Sequence, residues 1–286
     1  MQSTRGYIAC ATAMIGLAGF TAPSSAGTLY GIGTGPDMLY LIDPVSGVFT
    51  DVGPVALSDP DTEFAIGGLE FGPDGTLYGF TLKSQSRLYA IEPKDAFALD
   101  IGPIGLTTFE GSLVFDFENE IMYGVNGVID GLTSLMTIDL DTGQATAIGI
   151  IGDSPHDFNG LAMGEDGLLY GIDRVTNALW RIDTVPNGPG TMLVGELGPN
   201  VTLGAFGGMA VDLDSGTVYG YDGPSHTLFT IDLATGNTTV IHQQESGPSI
   251  TGLAYIPEPS TSALLALAAA SATLRRRRVV VPVDLR

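Results

Sequence analysis

One dipeptide returns five times along this chain at nearly even intervals. Tyr-Gly stands at Tyr30-Gly31, Tyr78-Gly79, Tyr123-Gly124, Tyr170-Gly171 and Tyr219-Gly220, with Tyr spacings of 48, 45, 47 and 49 residues. A second phrase keeps step with it: Leu39-Tyr40-Leu41-Ile42-Asp43, Leu88-Tyr89-Ala90-Ile91-Glu92, Leu135-Met136-Thr137-Ile138-Asp139, Leu179-Trp180-Arg181-Ile182-Asp183 and Leu228-Phe229-Thr230-Ile231-Asp232. A third precedes Tyr-Gly, as Gly68-Leu69-Glu70-Phe71, Ser112-Leu113-Val114-Phe115, Gly160-Leu161-Ala162-Met163 and Gly208-Met209-Ala210-Val211. A period of this length marks a unit that cannot bury its apolar face alone and must stack on its neighbours.

Each unit holds four short runs rich in β-branched and aromatic residues, separated by turn residues. In the second unit they fall at about 67–72, 76–81, 87–92 and 97–102. The first turn reads Gly72-Pro73-Asp74-Gly75, matched by Gly164-Glu165-Asp166-Gly167. Asp and Gly at such places meet local hydrogen-bond and positive-φ needs, so the recurring acids Asp43, Glu92, Asp139, Asp183 and Asp232 read as turn residues. Four strands per repeat predict an all-β fold, a five-bladed β-propeller. With 40 Gly and 17 Pro, the composition suits many strands and tight turns.

The ends supply a check on the count. The first unit, starting at Gly27, lacks its opening Gly-Leu strand, and the missing piece follows the fifth unit as Thr251-Gly252-Leu253-Ala254-Tyr255. Pairing that strand with the first unit closes the ring without an open sheet edge. The expected blades are 27–55 with 250–256, then 66–105, 110–152, 158–198 and 206–245. The Gly-Gly and Gly-Leu pairs fit innermost strands, where five blades crowd at the axis.

Charge narrows the partners. The chain carries −21 overall, but residues 27–256 hold 5 basic and 30 acidic side chains, a balance of −25. Such a body repels nucleic acid and anionic lipid and attracts cations. Cys10, the single cysteine, lies in the N-terminal leader, so the body has no disulfide or thiolate metal site.

Both ends read as address segments. Residues 1–26 have the parts of a secretory signal peptide: Arg5, an apolar run from Tyr7 to Phe20, and Ser24-Ser25-Ala26 before a cleavage at Gly27. At the other end, residues 257–286 begin with Pro257-Glu258-Pro259 and continue through the uncharged stretch Ala263 to Leu274 into Arg275, Arg276, Arg277 and Arg278. The arginines would stay on the cytoplasmic side, and twelve apolar residues make a short, transient anchor. This tail resembles the PEP-CTERM sorting signal. The resemblance implies recognition by a membrane exosortase, after signal peptidase, and delivery to the cell envelope or exterior of a Gram-negative bacterium.

Candidate site residues come from breaks in the repeat and from acidic loops. Three residues before the inner-strand Leu or Met, four blades place Ile66, Phe158, Phe206 and Ile250, and the remaining blade places Glu110. A carboxylate entering an axial channel among apolar neighbours is a site candidate. The loops Ser58-Asp59-Pro60-Asp61-Thr62-Glu63 and Asp153-Ser154-Pro155-His156-Asp157-Phe158-Asn159 lie where propellers usually bind. Asp59, Asp61, Asp153 and Asp157 offer oxygens of the kind calcium takes, and calcium is the one cofactor suggested. Glu110, Asp157, Asn159, Glu63 and Glu245 form the wider ligand-binding set. No phosphate loop, nucleophile elbow or His-Glu-x-x-His motif is present.

These features predict an exported binding module for envelope glycan, protein or metal. The enzymatic alternative is a polysaccharide hydrolase or lyase working at the axial channel. It would pair Glu110 with Asp157, Glu63 or Glu245, because such chemistry needs two acids.

Overall fold

The computed structural model describes residues 27–34, 37–58, 65–82, 85–108, 111–126, 132–153, 155–186 and 189–256. These residues form strands and turns, and no helix among them is long and apolar enough to cross a membrane. The leader, the Pro-Glu-Pro tail with its arginines, and Glu110, Glu63, Asp59 and Asp61 lie outside the described residues.

The first blade contributes Thr28–Gly33 (β1), Met38–Ile42 (β2) and Phe49–Pro54 (β3), followed by a two-residue strand, Ala56–Leu57 (β4). The second holds Ile66–Phe71 (β5), Leu77–Thr81 (β6), Arg87–Ile91 (β7) and Phe97–Pro103 (β8). The third holds Gly111–Asp116 (β9), Ile121–Asn126 (β10), Ser134–Ile138 (β11) and Ala145–Ile150 (β12). The fourth holds Phe158–Met163 (β13), Leu169–Asp173 (β14), Ala178–Ile182 (β15) and Thr191–Glu196 (β16). The fifth holds Gly207–Asp212 (β17), Thr217–Asp222 (β18), Thr227–Ile231 (β19) and Thr238–Gln243 (β20), and Ile250–Ile256 (β21) comes last.

The sheets are antiparallel meanders, and the first is ordered β21-β1-β2-β3. Strand β21 pairs with β1 from Thr28↔Ile256 to Gly33↔Ile250, so the C-terminal strand closes the first blade as the repeat count predicts. An addition not legible in the repeat is β4, which lies parallel to the outer strand β8 at Ala56↔Phe97.

Glycines let the inner strands meet at the axis. A Cβ at Gly68 would stand 3.0 Å from the Leu113 nitrogen, one at Gly160 2.9 Å from that of Met209, and one at Gly208 2.7 Å from that of Leu253. At Gly252 the neighbour is Leu69 of the second blade, 2.7 Å away, which completes the circuit. In the third blade Ser112 takes this position, and its hydroxyl accepts the N–H of Leu161 on the next inner strand at 3.1 Å.

The Tyr-Gly glycines serve a different contact. A Cβ at Gly171 would meet Phe158 at 2.7 Å and Ile182 at 3.0 Å, and one at Gly79 would meet Ile66 and Ile91 at 2.9 and 3.0 Å. The apolar side chains of the first and third strands thus close over a bare backbone in the second. Blade-to-blade packing buries the rest: Ile32 and Leu39 of the first blade share one cluster with Leu69, Phe71 and Leu77 of the second. Four of the five turn acids, Asp43, Glu92, Asp139 and Asp232, act as expected. Asp43 accepts the N–H groups of Val45 and Ser46, and Asp139 those of Asp141 and Thr142, which holds both carboxyls below the ordinary range.

Candidate functional site at the propeller axis

The five inner strands run the same way, so the axis has two unlike ends. Loops between blades gather at the end where these strands begin. Hairpin turns such as Gly72–Gly75 gather where they finish.

At the loop end the second inner-strand residues form a ring of Gly67, Gly111, Asn159, Gly207 and Thr251. They leave about 10 Å³, space for roughly one water. Asn159 donates its Nδ2 to the Gly204 carbonyl at 2.8 Å, while its Oδ1 is buried without a partner among the described residues. Thr251 donates to the carbonyls of Ile66 and Ile32 at 2.7 and 3.2 Å. Among the described residues this end is a nearly sealed collar, to which Leu82, Ala205 and Phe206 add apolar surface.

Asp157 is drawn away from it. Its carboxylate pairs with Arg174, and its backbone N–H donates to Asp173 at 2.8 Å. Asp173 is fully buried and also accepts from the Thr176 hydroxyl at 2.7 Å, while His156 Nδ1 lies 3.0 Å away. His156 stacks on Phe158 and meets Trp180 edge-on, so it is a wedge under the loop with no open face for substrate. Asp222 does the same work one blade on, accepting the N–H groups of Gly204 at 2.6 Å and Ser225 at 2.9 Å. These buried carboxylates end the strand that carries Tyr-Gly, and they bind the incoming loop to it.

The other expected residues do not converge. Asp153 and Glu245 are exposed on separate loops. No group of three His, Cys, Asp or Glu side chains among the described residues is placed to hold a metal. The repeat position of Glu110 is occupied in other blades by Ile66, Phe158 and Ile250, which are buried over the Tyr-Gly glycines of their own blades, and by the half-buried Phe206, which lines the collar.

The hairpin end opens into a chamber of about 250 Å³. Val114, Phe117, Met163, Val211 and Tyr255 contribute to its wall, which also includes Glu70. Glu70 fills the residue after the inner-strand Leu or Met, where the other blades place Val114, Ala162, Ala210 and Ala254. It is the one charged side chain on that wall among the described residues. It is half-buried and lies on the chamber wall. It accepts the N–H of Phe71 at 2.7 Å and that of Phe115, yet burial outweighs both bonds and pushes its pKa up to about 8. The pattern break at Glu70 is legible in the sequence. What hid it is that position within the repeat does not say which side chains look into the axis.

Five four-stranded blades around a glycine-lined axis, which among the described residues is narrowed by a collar at one end and hollow at the other, define a five-bladed β-propeller with an axial chamber. No protein-family model matches the chain, and comparison with curated proteins found no match. Solved structures do match. A protein of unknown function from Bacteroides thetaiotaomicron is 20% identical, with a TM-score of 0.53 over 80% of this chain and 59% of that one. This chain therefore spans less than two thirds of that protein. The periplasmic gluconolactonase of Pseudomonas aeruginosa is 13% identical, with a TM-score of 0.41 over 79% and 69% of the two chains. A chain of a nidogen/laminin complex is 13% identical, with a TM-score of 0.48 over 80% and 97%. The likeness to the Bacteroides protein is one of fold.

Proposed function

We propose that this chain is an exported envelope or extracellular-matrix protein whose propeller binds a ligand at its axis without turning it over. The supporting observation is the chamber with a single carboxyl. Glycoside cleavage needs a pair of acids roughly 5–10 Å apart, one of them kept protonated. Glu70 meets the second condition and has no acidic partner on the chamber wall among the described residues. At the collar end the lining among the described residues carries no carboxyl: glycines, Asn159, Thr251, Leu82, Ala205 and Phe206.

Export follows from the two address segments and suits a body of −25. Signal peptidase would cut before Gly27, and an exosortase would act at the Pro257-Glu258-Pro259 tail after transient anchoring in the inner membrane. Because Thr28 pairs with Ile256, leader and tail both join the body at one point, on the hairpin end beside the chamber.

Expression of the full chain in an exosortase-bearing Gram-negative host tests both parts. The expected product is found in the envelope or medium, begins at Gly27, lacks Arg275 to Arg278, and binds without degrading extracellular polysaccharide. A cytoplasmic product with Met1 intact contradicts export. Polysaccharide cleavage lost in Glu70→Gln contradicts noncatalytic binding.

A further inference from the structure

We propose that the axial chamber takes a small quaternary ammonium ion, with Glu70 as its counter-charge, an inference that rests on the binding reading above. Three observations lead to this ligand class. The first is size: about 250 Å³ lies just below the usual range for drug-sized pockets, so the occupant is small.

The second is the surrounding field. The hairpin turns of this end carry Asp74, Glu118, Asp166 and Asp214, and the body balance is −25. Such a rim concentrates cations at the mouth and repels anions. The single carboxyl on the chamber wall among the described residues supplies the matching sign once it ionises.

The third is the shortage of acceptors, which discriminates among cations. Glu70 already receives two backbone N–H groups. The Tyr255 hydroxyl is engaged with Asp212, and the remaining side chains named on the wall are aromatic or aliphatic. A primary ammonium has three N–H donors to satisfy and would bury some of them unpaired, at about 1–3 kcal/mol each. A quaternary ammonium has none. It is content with one carboxylate, apolar contact and the faces of aromatic rings such as Phe117.

Binding is coupled to a proton. Glu70 is largely protonated in the empty chamber at neutral pH and must ionise to balance the ligand, so binding releases a proton. Other titratable groups on the strands around it are Tyr30 on β1, whose ring packs on Phe71, Tyr78 on β6, Asp116 ending β9, Asp212 ending β17 and Tyr255 on β21; β13 brings Met163 here. Tyr78 and Tyr255 are shifted above their ordinary value, chiefly by burial, and stay neutral where Glu70 titrates. Asp116 and Asp212 are held in their turns by Asn119 and Ser215.

Calorimetry on the full mature protein provides the test, with (2-hydroxyethyl)trimethylammonium as probe, 3,3-dimethylbutan-1-ol as its neutral isostere and ethanolamine as the primary amine. The probe is expected to bind at least about tenfold more tightly than either control, to tighten as pH rises towards 8, and to release close to one proton at pH 7. Glu70→Gln is expected to erase the preference over the isostere while keeping its fold, checked by melting. Equal binding of probe and isostere, or binding unchanged in Glu70→Gln, overturns the inference and leaves the binding module standing. No binding of the probe overturns it as well. Polysaccharide turnover overturns the module itself.

Discussion

Gly252 of the last strand sits so close to Leu69 of the second blade that a Cβ on it would lie 2.7 Å from the Leu69 nitrogen. Two residues far apart in sequence thus form the seam where the ring shuts. Gly252→Ala is expected to lower stability by about 1–3 kcal/mol through forced separation of two backbones. A fitting control is Gly75→Ala, whose Cβ would meet nothing within 4 Å and whose only burden is its φ of +81. That costs about 1–2 kcal/mol. Urea unfolding of both variants decides it. Loss in Gly252→Ala no greater than in Gly75→Ala would remove the seam.

Ser112 stands in for glycine at the same level and bonds the Leu161 N–H across to the fourth blade. Ser112→Ala strands a buried donor, for an expected loss of about 1–3 kcal/mol. Hydrogen exchange at the Leu161 amide should accelerate more than exchange elsewhere in β13.

Asp173 collects N–H or O–H donors from Asp157, Val175 and Thr176, with His156 beside it under the loop that leads to β13. Asp173→Ala removes the acceptor and leaves the buried His156 ring and the part-buried Asp157 N–H without it, which should cost about 1–3 kcal/mol. The tryptophan fluorescence of Trp180, packed on His156, should change in the folded variant. An unchanged spectrum and melting temperature would contradict this bracing role.

Glu70 gives the protein a pH signature. Its folded pKa of about 8 exceeds the ordinary 4.5, so as pH rises the unfolded chain sheds this proton first. The stability contributed by Glu70 is therefore full below about pH 4.5 and lost as pH climbs through 8. Glu70→Gln escapes that loss. It is expected to melt at least about 2 °C above the parent at pH 8, with the gap closing towards pH 5. A gap that is constant across this range would place the Glu70 carboxyl in water.

The fold was legible because the repeat is carried by residues with one job each. Tyr-Gly needs its glycine so that Phe158 or Ile66 can close over it, and the turn acids need their carboxyls for nearby N–H groups. The absent opening strand at Gly27 and the spare one at Thr251 announced the closure for the same reason. Site geometry was less legible. Breaks in the repeat fall at both Glu110 and Glu70, and the counterparts of Glu110 divide between blade interiors (Ile66, Phe158, Ile250) and the collar (Phe206), whereas Glu70 itself borders the axis. That difference depends on how the strands are rotated about their own axes, which the repeat alone does not record. Asp173 and Asp222 were silent too, because burial of a carboxylate depends on the loop folded over it.

Chamber, collar and seam all require that β21 belong to the first sheet. Native-state hydrogen exchange of the mature protein tests this most directly. The amides of Gly252 to Tyr255 should exchange as slowly as those of Leu29 to Ile32, and both should open only with global unfolding. Rapid exchange across Gly252 to Tyr255, while the other inner strands stay protected, would mean that the ring is open and the account wrong.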